Sequence, residues 1–251
     1  MRVINFALTN HLYAARFDDS IIILDSINDK YLSLIDSAAD FFQVILDNSF
    51  EQKNDSYVIV HNENHQTDVE SLNYWINHFI THNFITKTTS ERGRGIASLP
   101  LQSGGLVDYK WDHKPSWQPF AKTSKIQIIK MLFTLAKVHR LLNKKGIQGI
   151  LDEIKKYTTT KLHQPTDQEI QKLSETIDAA TLLYPKKTYC LAWAATFVIE
   201  ALKRQWRCNL AIGIQTNPFY AHAWAESSGS VIHDDPQIAQ VLSIILKEPF
   251  I

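Results

Sequence analysis

Cysteine is scarce in this chain, two residues in 251. That excludes the disulfide lattice of a small secreted scaffold. Glycine and proline number eight each, too few for a collagen-like or low-complexity protein. No uncharged apolar run approaches the roughly 18 residues of a membrane-spanning helix. The start, Met1-Arg2 followed by a short apolar stretch that Asn10-His11 breaks, is too brief for a secretory signal. A Gly-rich phosphate loop is also missing, so no nucleotide cofactor is expected. What is present is 45% hydrophobic, 21% charged and 11% aromatic, ordinary globular composition with enough apolar mass for a real core. The expectation is a reduced, soluble, cytoplasmic protein without cofactor.

Net charge is zero, but it is unevenly spread. Residues 1–88 hold 5 Lys/Arg against 12 Asp/Glu, and the rest of the 26 of each sign, 21 and 14, falls in 89–251. Halves of opposite sign point to two domains with different partners. An acidic first half argues against a grip on phosphates, because nucleic-acid affinity is mostly electrostatic.

Along the chain, Tyr13, Ala15 and Phe17 alternate with Leu12, Ala14 and Arg16, a strand closed by Asp18-Asp19-Ser20. Ile21 to Leu24 and Lys30 to Leu34 read as the next two strands, joined through a turn at Asp25–Asp29. Asp36 is placed to cap a helix bearing Ala38, Phe41, Phe42 and Ile45, and residues 56–60 look extended. Asp68 caps a helix with Leu72, Ile76, Phe79 and Ile80 on one face and Trp75 beside them. Residues 89–124 are turn-rich and aperiodic, a linker. From Lys125 a long helix runs to Gly146, a shorter one from Ile147 to Tyr157, and a third from Pro165-Thr166 to about Leu183. The domains are therefore 1–88 and 125–251.

The chemistry lies in the second domain. With Thr188 as its cap, an apolar helix opens at Cys190. A thiol there feels unpaired N–H groups and the positive end of the dipole, which favour thiolate. Cysteine is also often buried as a small hydrophobe, so this position alone decides little. Cys208, Leu210, Ile212 and Ile214 then alternate as a strand. Phe219 to Glu226 alternates again, placing His222, Trp224 and Glu226 on one face, and Ser228-Gly229 turns the chain back through Ser230 to Asp234. A three-residue loop at 227–229 puts His222 across from Asp234, whereas a two-residue turn puts it across from Asp235. A thiol, an imidazole and a carboxylate in that order are the parts of a thiol acyl-transfer site: nucleophile, base and orienting acid.

Cys190-Leu191, the His222-Ala223-Trp224-x-Glu226 box, the Gly229 turn and the Asp234-Asp235 pair resemble the lasso-peptide leader peptidases. These are the transglutaminase-like B proteins that mature ribosomally made peptides, and the likeness covers residues 125–251. It implies Cys190 as nucleophile, His222 as base and Asp234 as the acid that orients it. Members often carry an Arg beside the cysteine and another a few residues on, where this chain has Tyr189 and Ala194. The first domain is similar, more distantly, to the recognition element of such pathways, a small winged-helix-like fold of three strands followed by three helices. That likeness implies binding of the leader by strand addition along Lys30 to Leu34, beside the Trp75/Phe79 face of the last helix, with Tyr31, Leu32, Ser33 and Trp75 as substrate-binding residues. Core packing is the competing reading of Tyr31 and Trp75 and the preferred one for Phe79. The implied fold class is α+β, a winged-helix-like domain plus a papain/transglutaminase-like cysteine peptidase. The implied partners are a precursor peptide and an asparagine-synthetase-like macrolactam synthetase that closes the ring, with no nucleic acid and no membrane.

Other readings compete. A metal site from Cys190, Cys208, His222 and His233 lacks any tight ligand spacing. A non-catalytic leader-binding chaperone, delivering the precursor to the cyclase, would have no need of the intact Cys190, His222 and Asp234. A winged-helix DNA binder conflicts with the acidic first domain, and the chain looks too small for a transglutaminase proper.

Overall fold

The computed structural model describes residues 3–54, 56–60, 68–88, 95–98, 123–158 and 161–250. The chain falls into two units, Met1–Leu101 and Gln102–Ile251. The expected connector over 89–124 lies largely outside the described residues. Within it, Ala97–Ser98 pairs in parallel with the strand at Leu12–Arg16, so these two residues are part of a sheet.

In the first unit the strands are β1 (Val3–Leu8), β2 (Leu12–Arg16), β3 (Ser20–Asp25), β4 (Lys30–Ile35), β5 (Ser49–Lys53), β6 (Ser56–Ile59), β7 (Ile85–Thr88) and β8 (Ala97–Ser98). They form two four-stranded sheets, ordered β6-β5-β1-β7 and β4-β3-β2-β8. Helix α1 (Asp36–Asp47) packs on β4 and β1, and α2 (Val69–Thr81) packs on α1, β6 and β7. The core gathers Phe6 and Leu8 of β1, Ile21 and Ile23 of β3, Phe42 and Ile45 of α1, and Ile76 and Phe79 of α2.

The expected order of three strands then three helices needs correcting. Among the described residues this unit holds two helices, with the β5–β6 hairpin between them. Phe50 and Tyr57 point into the core from that hairpin, and the Asn73 side chain on α2 fixes Tyr57 by donating to its carbonyl and accepting from its N–H. β1 lies outside the strands expected from the sequence, although its Ile4, Phe6 and Leu8 alternate with a strand's period. Asp68 caps α2 as expected, accepting from the N–H groups of Glu70 and Ser71. Asp36 does not cap α1: Ile35 holds that position, and Asp36 enters the helix at φ 51°.

In the second unit, helix α3 spans Lys125–Lys155 and is broken at Gly146, whose φ 58° and ψ −154° suit only glycine. Buried Glu153 ties the two arms, accepting from Lys137 at 2.6 Å and Lys156 at 3.0 Å. Helix α4 (Asp167–Leu183) opens with a capping box of Thr166 and Glu169. Helix α5 (Cys190–Lys203) is buried along nearly its whole length and packs on α3, α4 and two strands, β9 (Asn209–Gln215) and β10 (Tyr220–Ser227). With β11 (Ser230–Ile232) and β12 (Ser243–Glu248) these form an antiparallel sheet ordered β11-β10-β9-β12, and the short helix α6 (Ile238–Val241) leads into β12. The sheet needs Gly213 on β9. A Cβ there would stand 2.7 Å from the Trp224 ring and from Leu242, so the indole comes close against bare backbone.

Candidate active site

The end of α5 that faces β10 begins with a thiol. Tyr189 is the extended N-cap residue, and Cys190 is the first helical residue. Thr188, expected as the cap, stands one residue too early. Its buried hydroxyl makes no hydrogen bond among the described residues. Cys190 is half-buried and free. Burial pushes its thiol up, but the hydrogen bond and charge of His222, together with the N–H groups of Ala223 and Leu191, outweigh that and hold it below the ordinary cysteine value.

His222 sits on β10 opposite Gly213. Its Nε2 lies 2.7 Å from Asp234 Oδ2, with both side chains buried, 1% and 7% exposed. Burial disfavours the charged ring, and the hydrogen bonds to Asp234 and Cys190 more than reverse this, raising the imidazole to about 9. A lowered thiol and a raised imidazole favour the same state, a thiolate–imidazolium pair. The second carboxylate oxygen of Asp234 accepts from the Asp235 N–H at 2.8 Å, so the acid is held at both oxygens.

The way Asp234 reaches His222 differs from the expected three-residue loop. The turn has two residues, Ser228 at φ 52° and Gly229 at φ 79°, and Ser227 pairs with Ser230. That register, continued, would bring Asp235 opposite His222. It does not continue: β11 ends at Ile232, and His233 turns out of the strand at φ 57°. The break delivers Asp234 in place of Asp235, whose side chain instead accepts from the N–H of Gln237.

One neighbour went unread in the sequence. Tyr220, two residues before His222 on the same face of β10, brings its hydroxyl to 3.4 Å from His222 Nδ1 and lies nearly parallel to the ring, at 11°. Burial pushes this phenol up to about 12, with the charges of Cys190 and Asp234 adding to the effect. The period-2 face that singled out His222 and Trp224 contained this signal too.

Residues 132–247, which include Cys190, His222 and Asp234, match the transglutaminase-like superfamily. The second unit carries a transglutaminase-like domain. A 59-residue stretch, 24% of the chain, is 37% identical to the microcin J25-processing protein McjB of Escherichia coli. That stretch spans 28% of the relative's own length. The chain is thus similar to the B proteins of lasso-peptide maturation. No solved structure matches it.

The other cysteine of the transglutaminase-like domain is built differently. Cys208 lies just before β9 and is 1% exposed, and burial drives its thiol far up, with the Glu226 charge adding to it. Among the described residues no three His, Cys, Asp or Glu side chains gather as a metal ion would require. No helix among them is long and apolar enough to cross a membrane.

The residues expected to bind a leader all fall in the first unit. Tyr31, Leu32 and Ser33 lie on β4, which among the described residues pairs only with β3 and forms the edge of its sheet. Leu32 and Ile35 are 39% and 58% exposed. Trp75 is half-buried, stacked on Phe79 at 5.3 Å and on Phe41 of α1 at 6.3 Å. Phe79, fully buried, belongs to the core and not to a binding face. The helix that packs on β4 is α1. Phe41 stands as the aromatic link from α1 to Trp75.

Proposed function

We propose that this chain is a cysteine endopeptidase that removes the leader from a ribosomally made precursor during lasso-peptide maturation. The observation that carries the reading is the placement of His222 between a buried carboxylate and the Cys190 thiol. In the reaction the Cys190 thiolate attacks the carbonyl carbon of the scissile bond. His222, as imidazolium, gives its proton to the departing amine of the core peptide, leaving a thioester between Cys190 and the leader. His222 then takes a proton from water, and the resulting hydroxide attacks the thioester and releases the leader carboxylate. Asp234 holds the ring orientation throughout. The freed core amine is what a macrolactam synthetase partner would join to a side-chain carboxyl.

The first unit is, on this reading, the leader-binding domain, and the exposed edge of β4 supports strand addition there. Tyr31, Leu32 and Ser33 would pair with the leader, and Trp75 would contribute through the α1/α2 aromatic stack. Two free cysteines, one serving as a thiolate, suit the reducing cytoplasm.

Incubating the full chain with its precursor and weighing the products tests the reading. Two fragments with wild type and none with Cys190→Ala are expected. Binding without cleavage by wild type would favour the non-catalytic chaperone. Leu32→Pro, with folding checked by circular dichroism, should abolish leader binding by removing a ladder N–H. Unchanged affinity in a folded variant would place the leader elsewhere.

A further inference from the structure

Beside the reacting trio lies a second histidine–carboxylate pair that the proposed reaction does not use. His233 Nε2 is 3.0 Å from Oδ2 of Asp178, a carboxylate on α4 that is only 6% exposed. The other oxygen, Oδ1, accepts from Trp193 Nε1 at 2.9 Å. Trp193 is three residues past Cys190 on α5, and its indole stacks on the His233 ring at 5.0 Å and 12°. One carboxylate therefore grips two aromatic side chains that also grip each other. Together they join α4, the cysteine-bearing helix and the residue immediately before Asp234.

We infer that Asp178, Trp193 and His233 form a positioning clamp that sets which acid faces the catalytic histidine. The inference rests on the peptidase reading above and deepens it. The hairpin register would carry Asp235 to His222, and the left-handed turn at His233 is what substitutes Asp234. A non-glycine residue holds such a conformation only when its surroundings over-determine it. The Asp178 hydrogen bond and the Trp193 stack supply that restraint. Because Trp193 rides on the helix that begins at Cys190, the clamp also fixes the distance between nucleophile and acid. The charged and titratable groups around His222 are then Asp234, Cys190 and Tyr220, while Glu226 farther along β10 is occupied by Lys247.

Iodoacetamide labelling of Cys190 as a function of pH tests the clamp in the full chain without any peptide, so its outcome is independent of whether leader cleavage is the reaction. Alanine at 233 loses the grip and disfavours the left-handed turn. His233→Ala should raise the pH of half-maximal labelling by about 1 unit, the low end of what an opposite charge does to a neighbouring group. Leader cleavage should fall about tenfold, as when a histidine loses its orienting shell. Asn tolerates the left-handed turn, although its shorter amide stops at the position of the ring Nδ1 and does not span to Asp178, so His233→Asn should recover only the part of both losses that belongs to the turn. The signature of positioning is non-additivity. Asp234→Asn should shift the profile the same way, and adding His233→Ala to it should change nothing more. Trp193→Phe, which keeps an aromatic ring against His233 but loses the N–H and part of the stacked area, should shift it less in the same direction, and it serves by the same criteria if His233→Ala does not fold. A folded His233→Ala or Trp193→Phe with the wild-type profile would overturn the clamp. So would an effect that adds in full to that of Asp234→Asn.

Discussion

The two cysteines lie in one unit, on adjacent stretches of chain, in opposite environments. Cys190 starts a helix, is half-buried, and has His222 and two backbone N–H groups against its sulfur. Cys208 is buried just before β9, with the Glu226 carboxylate nearby. Burial raises both thiols. Only Cys190 has partners that more than reverse it. The difference teaches that a helix start alone does not make a thiolate. The Cys190 thiolate depends on an imidazolium, and the imidazolium depends in turn on Asp234.

The comparison can be broken most severely at the thiols themselves. Cys190→Ala should abolish leader cleavage in a folded chain, whereas Cys208→Ala should keep the rate and cost about 1 kcal/mol of stability, as a small core truncation does. Reaction rates and thermal melts of the two variants check this, and a dead Cys208→Ala would reverse the assignment. His222→Ala should lower kcat by about 10²- to 10⁴-fold, the span of a lost general acid–base group. The double variant with Cys190→Ala should be no worse than Cys190→Ala alone.

The next effect is smaller and sharper. Asp234→Asn should cost about 10²-fold in kcat, because it removes the charge that holds the imidazolium. Asp235→Asn should stay within about 0.5 kcal/mol, as an exposed substitution does. A larger loss at Asp235 would mean that the strand continues past Ile232 in solution. Smaller again, Gly213→Ala should lower stability by about 1–3 kcal/mol through overpacking against Trp224 and Leu242. It should also slow cleavage, since His222 stands opposite that glycine. Denaturant midpoints read the first effect and initial rates the second.

Much of this site was legible before the structure. A cysteine opening an apolar helix and an alternating hairpin bearing His222 are local patterns, and each survives in the folded chain. The acid was narrowed to two neighbours by counting turn residues, but the count could not choose between them. The turn is the shorter one, and the shorter turn alone would have selected Asp235. The deciding feature is a single left-handed residue, His233, whose conformation is restrained by Asp178 and Trp193 from two other elements. No periodicity encodes such a contact. The first unit was less legible for a related reason. Polar, short strands such as Ser49–Lys53 bury one residue, Phe50, and draw their stability from partners far along the chain. Asp36 shows the same limit, since a good capping residue is displaced by one position where β4 runs straight into α1.

The central claim is that Cys190 does its work as a thiolate paired with protonated His222. The sign of the pH effect follows from the two shifts. The lowered thiol keeps the pair formed below the ordinary cysteine range, and the raised imidazole keeps it until pH passes about 9, where His222 loses its proton. The most direct measurement is therefore the pH profile of iodoacetamide labelling, with each cysteine followed by mass spectrometry and residual leader cleavage followed alongside. Labelling confined to Cys190, with its onset below that of an ordinary thiol and in step with loss of activity, is the predicted result. Labelling of Cys208 in step with inactivation, or a Cys190 profile no different from a free thiol's, would contradict it.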